Sequence, residues 1–143
     1  QSGLKVGAFF IIGLPGSDLK KDQESLNKAL QLNLDNATWS LAYPFPKTDL
    51  FQWVTRNAVI INDFISASFF VEPKCIFETK DYSEEDRLKM FYRANLSFHR
   101  YTCLSSDKNI FKAGWKILKI IIKYDPKHLF IHLYAGFKTL LIK

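Results

Sequence analysis

One stretch constrains this fold more than any other. Val6 to Leu14 reads VGAFFIIGL, an unbroken apolar run closed by Pro15-Gly16. It has the length of a strand and falls well short of a membrane span. Such a run is expected to be a strand buried on both faces, as in a parallel sheet covered by helices. Ser17 or Asp18 can then cap a helix by accepting hydrogen bonds from its free N–H groups. Leu19, Leu26, Ala29, Leu30 and Asn33 fall on one face of that helix, with Lys20, Lys21, Asp22, Glu24 and Lys28 largely on the other. Ala37 to Tyr43, ATWSLAY, is a second strand, stopped by Pro44-Phe45-Pro46 because proline cannot donate to a sheet ladder. Thr48 or Asp49 opens a short helix to Arg56. Strand, helix, strand, helix with short links is the pattern of parallel βα units.

Residues 57–82 are apolar without a sustained period, and we expect a loop with one or two short elements. Ser83-Glu84-Glu85-Asp86 resembles a capping box and predicts a helix to Tyr101, with Leu88, Phe91, Ala94, Phe98 and Tyr101 as its apolar stripe. The acids of that first turn offset the helix dipole. Asp107 is expected to cap the next helix. Ile110, Phe111, Gly114, Ile117, Leu118 and Ile121 should form its apolar face, opposite Lys112, Lys116, Lys119 and Lys123. Asp125-Pro126 opens a last helix carried by Leu129, Leu133, Phe137 and Leu140.

The chain has 143 residues, room for one sizeable core but too few for a closed (β/α)8 barrel of about 250. Its opening on Gln1 rather than Met is read as a start inside a longer polypeptide. Acids and bases balance up to residue 103, so the whole +6 net charge sits in the last 40 residues. That is a local basic surface, not a generally basic protein. Cys75 and Cys103 do not form a disulfide framework or a four-cysteine metal site, and read as reduced thiols of a cytoplasmic protein. His128 and His132 lie one helical turn apart but lack a third ligand, so we expect a surface or groove-facing pair rather than a metal site. Trp39, Trp53 and Trp115 are read as core or interface residues.

The order of motifs adds a family resemblance. FFIIGLPG before an amphipathic helix resembles the fifth strand and turn of the radical S-adenosylmethionine superfamily, most closely its members with an N-terminal cobalamin-binding domain. LDNATWSLAYPFPKTDLF resembles the sixth strand with its P-x-P-G-T turn. Phe77-Glu78-Thr79, then the Ser83 helix with Arg93 and Phe98-His99-Arg100-Tyr101, resembles the helical segment after the barrel in that subfamily. The resemblance implies an α/β fold: a partial (β/α) barrel fragment holding the last two βα units over residues 1–82, then a helical C-terminal segment over residues 83–143. It implies S-adenosylmethionine and a [4Fe–4S] cluster in the complete protein, with cobalamin as a further cofactor of the subfamily. The family holds its cluster with a CxxxCxxC loop that this chain lacks, and Cys75 and Cys103 cannot replace it. The cluster would then belong to a missing N-terminal barrel half, in the same or a separate chain, and the isolated chain should be inactive.

In that family a GxIxGxxE-like segment of the fifth strand passes the adenine. Ile11 and Gly13 match its I and second G, Phe9 replaces the first Gly, and Gly16 stands where the acid would be. The resemblance thus places Ile11, Gly13 and Leu14 on the adenine side, with Tyr43 and Pro44 facing the same mouth, near a small-molecule or lipid-like substrate. Lys47 replaces the Gly of P-x-P-G-T, and is strained if that position has a positive φ. The alternative is a non-catalytic module that binds a membrane surface or protein partner through Lys112, Lys116, Lys119 and Lys123. Nucleic acid is not an expected partner, because this stripe lacks arginine and interleaved aromatics. Two parallel strands alone would expose their edges, so the isolated chain is expected to aggregate or dimerise.

Overall fold

A computed structural model describes residues 3–32, 34–63, 73–98 and 110–141, with side chains described for 111–135 of the last stretch. Two βα units come first: β1 (Gly7–Ile12), α1 (Leu19–Gln31), β2 (Asn36–Leu41) and α2 (Asp49–Asn57). β3 (Val59–Ile60) and β4 (Phe77–Glu78) follow, then α3 (Glu84–Ser97), α4 (Ile110–Tyr124) and α5 (Leu129–Leu141). One turn of 3-10 helix, Pro126–His128, joins the last two. The expected Asp107 cap, Asn33, Tyr101 and Cys103 lie outside the described residues. The architecture is mixed α/β, with no closed barrel among the described residues.

β1 and β2 pair in parallel, from Gly7 opposite Asn36 to Ile12 opposite Leu41, with α1 as the crossover. β3 pairs antiparallel with β4, Ile60 opposite Phe77. Three caps anchor the helices as their sequences require. Asp18 accepts from Lys21 N–H at 2.8 Å, Thr48 from Phe51 N–H at 3.2 Å, and Ser83 from Asp86 N–H at 3.2 Å.

The expectation of a strand buried on both faces is corrected. Along β1, Ala8, Phe10 and Ile12 turn toward the helices, while Gly7, Phe9 and Ile11 remain exposed. Among the described residues, helices cover one face only. There Ile12, Ala37 and Trp39 meet Leu26 and Ala29 of α1 and Met90, Phe91 and Ala94 of α3. Phe10 stacks on its cross-strand neighbour Trp39, ring centroids 4.2 Å apart and planes within 10°. Such a pair adds about 1 kcal/mol beyond its burial. A second small cluster joins Ala42, Val54, Ile76 and Phe77.

The helix stripes also differ from expectation. The buried side of α3 includes Arg87 and Asn95, alongside Met90, Phe91, Ala94 and Leu96, while Leu88 is half-buried. Both polar residues satisfy backbone groups: Asn95 donates to the carbonyls of Trp39 and Phe91 at 3.1 and 2.9 Å. On α4 the inward residues are Ile117, Ile120 and Ile121, packed on the α3 side of the core. Phe111, assigned to the apolar face, is 89% exposed. Among the described side chains of α5, His132 is buried and Leu133 is exposed.

Candidate functional site

Two turns of the same design leave the carboxyl ends of the parallel strands. In Leu14-Pro15-Gly16-Ser17, the Ser17 N–H donates to the Leu14 carbonyl at 2.9 Å and Gly16 has φ 78°. In Phe45-Pro46-Lys47-Thr48, the Thr48 N–H donates to the Phe45 carbonyl at 3.2 Å and Lys47 has φ 70°. Proline at the second position and positive φ at the third define a type II turn. Lys47 therefore carries the strain expected from the sequence, about 1 kcal/mol for an L-residue in the left-handed region.

Behind the first turn stands a buried polar clamp. Gly13, at φ 79°, donates its N–H to Asp22 Oδ2 at 2.9 Å. Its carbonyl accepts from Arg87 Nη1 at 2.8 Å. Asp22 Oδ1 accepts from the Ser17 hydroxyl at 2.6 Å, and Arg87 Nε donates to the Tyr82 carbonyl at 3.1 Å. The guanidinium lies between two rings, 4.5 Å from the Phe77 centroid and 4.7 Å from that of Tyr82. Arg87 is 1% exposed. Burial lowers its pKa, and the neighbouring Cys75, Tyr82 and Asp22 oppose that shift. A Cβ on Gly13 would overlap the guanidinium, so glycine is required there by both φ and space.

The clamp works from the helix side, and no described element covers the other sheet face. In register, Phe9 stands beside Thr38 and Ile11 beside Ser40, which sets apolar side chains on β1 next to hydroxyls on β2. Phe9 is 85% exposed and Ile11 53%. The Ala42 N–H donates to the Ile12 carbonyl at 2.8 Å, which aligns the two strand ends. Leu14, exposed, and Tyr43, half-buried with its ring 4.9 Å from that of Phe45, lie just past those ends. Gly13 and Pro44 are buried, and both backbone polar groups of Gly13 are engaged within the chain. Of the five residues expected at the mouth, Ile11 and Leu14 are exposed and Tyr43 is half-buried.

The sequence reading passed over Asp22 and Arg87. Periodicity puts Asp22 on the solvent-facing side of α1, although an acid in a helix first turn beside a Gly-containing loop can turn inward. Arg87 had a usable signal: it stands four and seven positions before Phe91 and Ala94, on the apolar stripe itself.

Cys75 is buried and its Sγ lies 3.1 Å from the Phe77 carbonyl. Burial pushes its thiol up to about 11, so it is protonated and a poor nucleophile at neutral pH. The two histidines are tied together by Asp125, whose Oδ1 meets His128 Nδ1 at 2.8 Å and whose Oδ2 meets His132 Nε2 at 2.9 Å. His132 is only 3% exposed, so the expected surface pair is half interior. No metal-binding cluster is found among the described residues. Lys112, Lys119 and Lys123 are exposed and Lys116 is half-buried. No helix among the described residues is long and apolar enough to cross a membrane.

No family model matches the chain, and no solved structure does. Among curated proteins, the chain is similar to an uncharacterized methyltransferase of Pyrococcus horikoshii. It is 25% identical to that protein over 97 residues, which cover 68% of this chain. The chain spans 21% of the length of the curated relative that it matches.

Proposed function

We propose that this chain is the C-terminal part of an S-adenosylmethionine-using methyltransferase, with the open β1–β2 face as one wall of its cavity. The observation that carries the reading is that face: apolar side chains beside hydroxyls, at the carboxyl ends of parallel strands, braced from behind by Asp22 and Arg87. Ligands of α/β folds bind at this end. The likeness to a methyltransferase supports the reaction class. The finer assignment, a radical enzyme with a [4Fe–4S] cluster and cobalamin, draws its support from the order of the sequence motifs.

The residues present fit these groups unequally. Ile11, Leu14 and Tyr43 offer the apolar surface that a flat adenine needs, and Thr38 and Ser40 offer hydroxyls toward its polar edge. When bound, S-adenosylmethionine supplies the group to be transferred. This chain binds it, orients it and excludes water. Cys75 and Cys103 do not fit a cluster, since two cysteines cannot supply the three thiolates it needs. In this reading the cluster ligands come from an N-terminal barrel half in the same or a separate chain, and no part of this chain is assigned to cobalamin.

Equilibrium dialysis of labelled S-adenosylmethionine against the full-length protein, handled anaerobically, tests the reading. Ile11→Glu puts a charge on the proposed wall and is expected to weaken binding by about tenfold or more. Unchanged affinity in a variant with native circular dichroism overturns it.

A further inference from the structure

Helix α4 carries three strips rather than the two expected of an amphipathic helix. One, through Ile117, Ile120 and Ile121, faces the core. A second is apolar but turned outward: Phe111 is 89% exposed, Trp115 62% and Ile122 54%. At the α-helical step these three fall within about 40° of one another. Lys119, Lys112 and Lys123 follow over about the next 80°, forming one border of the apolar strip. Lys119 Nζ lies 5.6 Å from the Trp115 ring centroid.

Within α4 itself lysine is the only charged residue type, while Glu85 of α3 acts electrostatically on Lys123. From Ile110 onward the sequence contains a single acid, Asp125. Both oxygens of Asp125 are engaged by His128 and His132. An aromatic-rich strip bordered by lysines suits a helix lying at the interface of an anionic bilayer, where tryptophan sits at headgroup depth and lysine stems reach up to the phosphates. The cations are all lysine, without arginine's planar fork, which matches diffuse anionic charge better than bidentate recognition of a protein carboxylate or nucleic acid phosphate. We propose that the outward face of α4 docks on an anionic lipid surface, with Phe111, Trp115 and Ile122 entering the interface and the three lysines above it. The proposal stands independently of the methyltransferase reading.

Sedimentation of the full chain with vesicles tests it, using phosphatidylcholine alone and phosphatidylcholine mixed with phosphatidylserine. Binding to the anionic vesicles, a blue shift of Trp115 emission and loss of binding at high salt are expected. Each lysine should contribute about fivefold, so joint Lys112→Gln, Lys119→Gln and Lys123→Gln substitution should lower partitioning on the order of 100-fold. Trp115→Ser should also lower it, with unchanged circular dichroism. Equal binding to both vesicle types, or lysine variants that bind like the parent, overturns the proposal. So does a soluble dimer that Trp115→Ser converts to monomer, since a second copy then covers the face. Shielding of Trp115 from acrylamide in the lipid-free full-length protein overturns it too.

Discussion

The two βα turns have the same backbone and different support. Leu14–Ser17 places glycine at its positive-φ position, whereas Phe45–Thr48 places Lys47 there. Just before the first turn, Gly13 is gripped at both its N–H and its carbonyl by Asp22 and Arg87. The second turn is steadied locally, by the Thr48 hydroxyl donating to the Phe45 carbonyl at 2.6 Å and by the Tyr43–Phe45 ring contact. A local side-chain bond is enough to hold a strained turn in place. Burying an arginine and an aspartate is a far larger outlay, and it fixes the first strand end against the helices.

That contrast breaks most sharply at the clamp. Arg87→Met should destabilise the fold by about 3–5 kcal/mol in chemical denaturation, because it leaves the buried Gly13 carbonyl without its donor and removes a charged hydrogen bond to the Tyr82 carbonyl. Arg87→Lys should recover little of this, since one ammonium cannot reproduce the fork between two carbonyls and two rings. Gly13→Ala should cost roughly 3 kcal/mol, the sum of left-handed strain and overlap with the guanidinium. A loss under about 1 kcal/mol in either would mean that the clamp is not what holds the turn.

Exchanging the third positions sharpens the comparison. A Cβ on Gly16 would meet nothing within 4 Å, so Gly16→Ala should cost about 1 kcal/mol from backbone strain alone. Lys47→Gly removes the same strain but gives the unfolded chain more freedom, for a net gain of about 0.5 kcal/mol. Denaturation midpoints that move in opposite directions check the pair.

The smallest effect lies away from both turns. Burial works to raise the Asp125 pKa, but hydrogen bonds from His132 and His128 outweigh it and hold the carboxyl below its ordinary 3.8. A depressed carboxylate stabilises the fold fully above its unfolded pKa and loses that contribution as pH falls through the folded value. Melting temperature should therefore drop on acidification below pH 3.8, and Asp125→Asn should flatten that part of the profile.

Much of the local structure was legible because it rests on neighbours in sequence. Asp18, Thr48 and Ser83 cap as their positions imply, and Pro15 and Pro46 set turns whose third residue needs positive φ. The apolar run is a strand, but its covered face was not legible. A continuous run presents apolar side chains both ways, so only the packing of α1 and α3 on one side tells Phe10 and Ile12 from Phe9 and Ile11. The face of α4 is legible in part: Ile117 and Ile121 meet the core as expected, while Phe111 turns outward. Its sequence has two apolar strips, and periodicity alone cannot say which one meets a neighbour.

By itself the sequence determined the βα order, the caps, the turns and the concentration of charge near the C-terminus, since each depends on residues a few positions apart. The tertiary structure decided the rest. Arg87 reaches Gly13 across 74 positions. Asp22 and His132 turn inward because the Gly13 N–H and the Asp125 carboxylate await them there. Ile11 and Trp115 stay outward because no described element covers them. A buried polar group must find its partner wherever the fold brings one, and no local pattern records where that is.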